Sequence, residues 1–198
     1  QAWFGTGTQK TSWGHYDYGK AEEDGTSWPR KDHISIDYFP YVKDYDESAL
    51  AQTGFDNLGS GEPTKLYDST NENVINTHFK WMNQYGIDGA AIQRFAGTIK
   101  GRTLYNDPQD TLLYKMKTAA ENNNSLFYIM YDISGGDQIK DKTDDTTISS
   151  WVEDIKFDWV YNIEKQLQMT NSDAYATVDG KPVVCLWGTA VSGDLTEC

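Results

Sequence analysis

The amino-acid sequence predicts an α/β fold with parallel strands, a (β/α)8 (TIM) barrel of which these 198 residues supply about the first four β/α units. Three observations carry this expectation. Short apolar runs alternate with amphipathic helical stretches, the pattern of βαβ units. The runs are nearly all small or apolar, as in strands covered on both faces. They also stop abruptly in polar or aromatic groups, at the carboxyl end where helix-covered parallel sheets hold ligands.

The first strand is Gln1–Gly5, short and aromatic. Residues 6–67 follow as one long irregular stretch rich in Gly, Asp, Tyr and Trp. Within it His33–Phe39 alternates as a strand does, but the following Pro40 leaves an edge or loop segment equally open. Excursions of this length are generally functional or disordered, and the aromatic residues argue against disorder. The most regular stretch is Asn73–Phe95. Val74, Ile75, His78, Phe79, Met82 and Tyr85 recur as one helical face, Ser69 and Glu72 form an S-x-x-E cap, and Gly86 is the stop. Ile87–Ile92 is then the second strand, ending in Gln93, Arg94 and Phe95.

A further helix is predicted over Pro108–Asn122, with proline in its first turn and Leu112, Leu113, Met116, Ala119 and Ala120 on its apolar face. Ser125–Tyr131 is the third strand, running into Asp132 and a Ser134–Gly136 loop. Trp151, Val152, Ile155, Trp159, Ile163 and Leu167 mark a helix from about Ser149 to Met169. Asp179-Gly180 is a tight turn, and Pro182–Trp187 is the fourth strand. A complete barrel needs eight strands and about 250 residues. The chain is therefore expected to be one domain, 1–198, forming the amino-terminal half of a barrel.

A net charge of −13 and a pI near 4.5 argue against nucleic acid or an anionic membrane as partner, although a polycationic ligand stays open. The 7 Trp, 13 Tyr and 7 Phe include Trp3, Trp13, Tyr16, Tyr18 and Trp28 in polar, glycine-rich stretches. Flat rings beside Asp, His and Asn suit the apolar faces and hydroxyl rims of sugars, and packing of loops over a sheet is the alternative. Cys185 lies in a strand pattern that predicts a buried thiol, and Cys198 is open to pairing outside the chain. The sequon Asn123-Asn124-Ser125 permits glycosylation in a secreted protein, and Gln1 suggests a processed start; a secreted or extracytoplasmic setting is expected.

Gly5-Thr6-Gly7 lacks the third glycine and following helix of a nucleotide loop. The chain has no H-x-x-x-H, C-x-x-C, EF-hand or G-x-S-x-G pattern, so neither metal nor cofactor nor acyl chemistry is expected, although a lone calcium in the acidic loop Asp141–Asp145 stays open. Asp132, one step past the third strand, is the best catalytic candidate, with a loop-capping role as its alternative. Arg94 either donates to hydroxyls or carboxylates at the strand mouth or sits in a structural ion pair. Tyr131 ends its strand beside Asp132, and Trp187 either stacks on a sugar or forms a wall. His33 and Asp37 carry one structural role between them, and His78 is a core histidine.

Several blocks in order resemble glycoside hydrolases of the family 71 and 99 type, nearest to the family-99-like proteins labelled xylosidases or arabinosidases and related to endo-mannosidases. They are QAWFG at Gln1–Gly5, Trp13-Gly14-His15-Tyr16, IDYFP at Ile36–Pro40, and His78–Met82 through Ile87-Asp88-Gly89. Gln93-Arg94-Phe95, Ile129–Gly135, Gly180–Val184 and Trp187-Gly188 continue the match along nearly the whole chain. The resemblance implies a barrel acting on glycans, with Trp3, Trp13, His15, Tyr16, Arg94, Tyr131, Asp132 and Trp187 contacting the sugar. In that family the catalytic carboxylates come from a Trp- and Glu-rich motif in the second half of the barrel, and nothing here matches it. The main catalytic carboxylates are thus expected outside this chain, on a second chain or a carboxyl-terminal segment. A lectin that binds glycan without cleaving it is the alternative.

Overall fold

Where strand β3 (Gly89–Phe95) begins, a side chain would have no room. A Cβ on Gly89 would overlap the backbone of Leu126, the residue paired with it across the sheet. The computed structural model describes residue 16 and residues 36–99, 108–133 and 152–188. They fall in two units, Ala2–Trp81 and Met82–Cys198.

The first unit carries a 3-10 turn at Glu47–Ala49, then an antiparallel pair, β1 (Leu50–Gln52) and β2 (Lys65–Tyr67), in register Leu50 with Tyr67. Thr53 and Thr64 continue the pairing, the Thr53 hydroxyl donating to the Thr64 carbonyl at 2.9 Å. Helix α1 (Glu72–Gln84) starts at Asn71. The Asn71 carbonyl accepts the Ile75 N–H at 3.0 Å, and its side-chain oxygen accepts the Asn73 N–H at 2.9 Å. The N-cap is therefore Asn71 rather than Ser69. Val74, Ile75 and Phe79 are buried as their spacing predicts, whereas Tyr85 lies past the helix end and is exposed. Tyr45, Ala49 and Val74 form the core, with Val42, Leu50, Tyr67 and Trp81 packed against it. Gly86 ends the helix at φ +72°, with Ile87 N–H on Met82 O at 2.8 Å and Gly86 N–H on Asn83 O at 3.3 Å, the two bonds of a Schellman stop.

In the second unit, β3, β4 (Leu126–Asp132) and β7 (Val184–Trp187) form a three-stranded parallel sheet in the order β3-β4-β7. Helix α2 (Pro108–Asn122) connects β3 to β4. Between β4 and β7, helical residues 152–157 run into a π-helix at Asp158–Gln166. The β5 (Thr177–Val178) and β6 (Lys181–Pro182) strands pair as a hairpin around Asp179 and Gly180, both at positive φ. The hairpin interrupts an edge. Beside the start of β4, Phe127 exchanges backbone bonds with Ala174 and Ala176, and β7 takes over as partner from Ile129 onward. Ile92, Phe127, Ile129, Tyr131, Ile163, Met169 and Tyr175 are buried.

The barrel expectation is overturned. Among the described residues seven strands lie in three separate sheets, two of them antiparallel pairs, and only β3, β4 and β7 are parallel. Barrel closure needs strands that continue, tilted and staggered, until the last meets the first. Three parallel strands and two short antiparallel pairs provide no such ring among the described residues, so the four β/α units reduce to a mixed α/β arrangement with one small parallel sheet. Alternation of apolar run and helix dictates which strands are neighbours, but not how many share a sheet. Residues 1–5, the expected first strand, lie outside the described residues. Residues 36–39 are irregular, and β1 and β2 sit inside the stretch expected to be loop. No helix among the described residues is long and apolar enough to cross a membrane.

Gly89→Ala should cost about 1–3 kcal/mol of stability through the forced separation of β3 and β4. Gly97→Ala, where a Cβ would meet nothing within 4 Å, should stay within about 0.5 kcal/mol. Denaturant midpoints compare the two, and a Gly89→Ala curve superimposed on the parent's would rule out the close approach.

Candidate functional site

Strand alternation divides the carboxyl half of the sheet into two faces. The aligned rows Ile92–Ile129–Val184 and Arg94–Tyr131–Leu186 share one face. Gln93–Met130–Cys185 and Phe95–Asp132–Trp187 share the other.

On the first face a charged network is sealed in the core. Arg94 donates from Nε to Asp158 Oδ2 at 2.8 Å and from Nη2 to Asp158 Oδ1 at 2.6 Å, a bidentate fork. Its Nη1 lies 2.9 Å from Asp110 Oδ1, so one guanidinium stands between two carboxylates. The Tyr131 hydroxyl donates to Asp158 Oδ2 at 2.8 Å, and the Asn162 amide donates to Asp158 Oδ1 at 2.8 Å. Arg94, Asp110, Tyr131, Asp158 and Asn162 are all buried. Burial opposes the charge on Arg94, but the Asp158 bonds, with the charges of Asp158 and Asp110, hold its pKa above the ordinary value. Burial and then the Asp158 charge push the Tyr131 phenol up, so it stays a donor. Arg94 and Tyr131 are thus engaged by protein groups, and the ion-pair alternative describes Arg94.

Asp158 is the residue that sequence reasoning missed. It opens the π-helix and, with Asn162 and Ile163, is one of that helix's buried positions, although the helical periodicity pointed to Trp159 and Leu167. The π winding is also visible in Trp159 Nε1, which donates to Glu164 five residues on at 2.8 Å. The available signal was Arg94 itself, since a guanidinium at the end of an apolar strand requires an acid from elsewhere.

The second face is different in character. The Gln93 side-chain amide donates to Asp132 Oδ2, which fixes the carboxylate at the end of β4. Asp132 is 3% exposed, while its row neighbour Trp187 is 57% exposed and Phe95 is half-buried. Ile133 N–H donates to Trp187 O at 2.9 Å, which continues the β4–β7 pairing past Asp132. The Asp132 carboxylate thus pairs with an amide from the adjacent row, and its neighbour across the sheet carries an open indole. Gln93 was expected only as a strand-end polar group; its spacing from Arg94 in a parallel strand places it on this opposite face.

The remaining predicted residues divide as follows. Tyr16 belongs to the Ala2–Trp81 unit and is buried there, its hydroxyl donating to Tyr67 O at 3.0 Å and its ring edge-on to Tyr67 at 6.1 Å. Trp3, Trp13 and His15 lie outside the described residues. His78 is bonded to the Tyr45 hydroxyl at 2.7 Å, and burial lowers its pKa. Cys185 is a half-buried free thiol. No cluster of three His, Cys, Asp or Glu side chains suited to a metal occurs among the described residues. The chain matches no protein-family model and no curated protein sequence.

Two outcomes follow from the sealed network. Asp158→Ala should destabilise by about 3–5 kcal/mol, because it strands a buried guanidinium, and Tyr131→Phe by about 1.5–3 kcal/mol. An Asp158→Ala protein with the parent's denaturant midpoint would contradict the network. The second outcome concerns alkali. Tyr131 is raised above 10.0, and burial pushes Tyr175 up to about 12. Below about pH 10 folded and unfolded chains hold these protons equally, so the contribution is intact. Above it the unfolded chain releases them first, and stability falls until the folded phenols ionise. The midpoint should drop between about pH 10 and 12, and less steeply in Tyr175→Phe. A flat midpoint across that window would be the contrary result.

Proposed function

We propose that this chain is a carbohydrate-active protein, glycoside hydrolase-like, which binds glycan at the carboxyl edge of its β3-β4-β7 sheet. The observation that carries the reading is the Gln93–Asp132 pair, with the exposed Trp187 as the cross-strand neighbour of Asp132. An indole face offers a surface for the C–H side of a pyranose. A positioned amide and carboxylate accept and donate at its hydroxyl rim. The resemblance of the sequence blocks to family 71 and 99 glycoside hydrolases supports the same class of ligand, as does the wealth of aromatic residues. A secreted or extracytoplasmic setting accompanies it.

Cleavage of a glycosidic bond by acid and base uses two carboxyl groups, about 5–5.5 Å apart in retaining enzymes and about 6.5–9.5 Å apart in inverting ones. The strand-end row contributes one, Asp132, and it is buried against Gln93. In this reading the main catalytic carboxylates lie elsewhere than this row, with Asp132 binding or assisting. This same observation favours a second reading, a lectin that grips glycan through Trp187 and Asp132 and leaves it intact.

A glycan array probed with the intact protein tests the proposal. Bound glycans should be lost from Trp187→Ala by roughly tenfold in affinity, with the melting temperature unchanged because the side chain is exposed. Asp132→Asn should weaken the same glycans. Failure to bind any glycan, or parental affinity in Trp187→Ala, would end the reading. Release of reducing sugar from a bound glycan separates the hydrolase from the lectin.

A further inference from the structure

We propose that Asp179-Gly180, at the tip of the β5–β6 hairpin, is a self-modification site where aspartate passes through a cyclic imide to isoaspartate. The site is independent of the glycan reading and uses none of its residues. The chain holds three Asp-Gly dipeptides, Asp24-Gly25, Asp88-Gly89 and Asp179-Gly180. The reaction favours this dipeptide because glycine offers its amide nitrogen with no side chain to hinder approach. Asp24-Gly25 lies outside the described residues. The other two each follow a β-branched residue, Ile87 and Val178, so their intrinsic chemistry is nearly matched and the fold decides between them.

The hairpin tip meets the conditions for ring closure. Residues 177–182 are all exposed. Among the described residues no hydrogen bond or ion pair engages the Asp179 carboxylate. The space around Gly180 is open, since a Cβ there would meet nothing within 4 Å. Asp179 stands at φ +52°, a left-handed conformation that costs energy for a residue with a side chain. The strands that hold it there are two residues each, too few to resist local opening. Asp88-Gly89 is held on both sides. The Asp88 carbonyl accepts the Leu126 N–H at 2.7 Å, and the preceding Ile87 N–H donates to Met82 O at 2.8 Å. Gly89 lies against the Leu126 backbone, where even a Cβ has no room. Ring closure there requires β3 and β4 to part.

The step conserves atoms and involves no redox change. The Gly180 nitrogen attacks Cγ of Asp179, the N–Cγ bond forms, and the amide hydrogen leaves with a carboxyl OH as water. Water then adds to one of the two imide carbonyls. Cleavage of the Cγ–N bond restores aspartate. Cleavage of the backbone C–N bond, with a proton returned to nitrogen, leaves isoaspartate, whose main chain runs through Cβ and Cγ. The chain is then one carbon longer at a turn built for two residues at positive φ, so the β5–β6 register is lost.

Intact protein kept at neutral pH in heavy-oxygen water tests this, since each passage through the imide places a solvent oxygen in the carboxyl group. Peptide masses report uptake at Asp179 and Asp88, and an endoprotease that cuts before aspartate but not before isoaspartate reports rearrangement. In the folded protein, uptake at Asp179 should exceed that at Asp88 by roughly tenfold or more. In urea the two should converge. Of these two positions, only 179 should accumulate isoaspartate in the folded protein, and Gly180→Ala should slow its uptake severalfold. The proposal falls if Asp88 takes up label as fast as Asp179 in the folded protein, or if the two stay apart in urea. It falls equally if Gly180→Ala leaves the Asp179 rate unchanged, or if label enters Asp179 without isoaspartate accumulating.

Discussion

The second unit is organised around one buried guanidinium. Arg94 leaves an apolar strand and is met by both oxygens of Asp158, with Asp110 on its other side. Taking charges out of water is costly, and only a fully bonded geometry offsets it. Asp158 meets that condition by accepting from Arg94, Tyr131 and Asn162 together. The interaction ties the end of β3, the end of β4 and the start of the π-helix to a single point. With Arg94 committed to one face, strand alternation leaves Gln93 and Phe95 on the other. A slip of one residue would bring Gln93 to Asp158 and place the guanidinium on the wrong side. The charge pair thereby sets which groups line the strand-end row.

That constraint gives the row of Phe95, Asp132 and Trp187 its division of labour. Asp132 is inward and held by Gln93, whereas Trp187, on the outer strand of the sheet, is open. One group supplies fixed polarity and the other apolar area, as recognition of a ring with a hydroxyl rim requires.

Much of this was legible from local pattern. Helix α2 occupies the predicted residues, and α1 and the three parallel strands lie close to them, because a period of 3.6 and continuous apolar runs are local signals. Gly86 was recognisable as a stop and Asp179-Gly180 as a turn, since backbone demands select those residues. What failed depends on distant partners. Arg94 signals the need for an acid partner but not that Asp158, 64 positions away, supplies it. Sheet closure depends on how many strands join one sheet, which the alternation behind the barrel expectation does not report. The π winding moved Asp158 and Asn162 inward, against a periodicity counted in α-helical steps. The β1 and β2 strands have three residues each, too short for alternation to register. Of the site, Asp132 and Trp187 were identifiable by position at strand ends, but the Gln93 contact that orders Asp132 was not.

The edge strand beside β4 is in effect one strand cut in two. Residues 174–176 serve its first part and β7 its second, while residues 177–182 loop out as the hairpin. The Val183 N–H bond to Ala176 O at 3.0 Å and the Tyr175 hydroxyl bond to Val183 O at 2.8 Å clamp the two cut ends together. Length at the hairpin tip is consequently uncoupled from sheet alignment. A peptide tag or fluorophore acceptor grafted between Asp179 and Gly180 would ride outside the ladder, giving a handle on the protein that leaves the β4–β7 pairing intact.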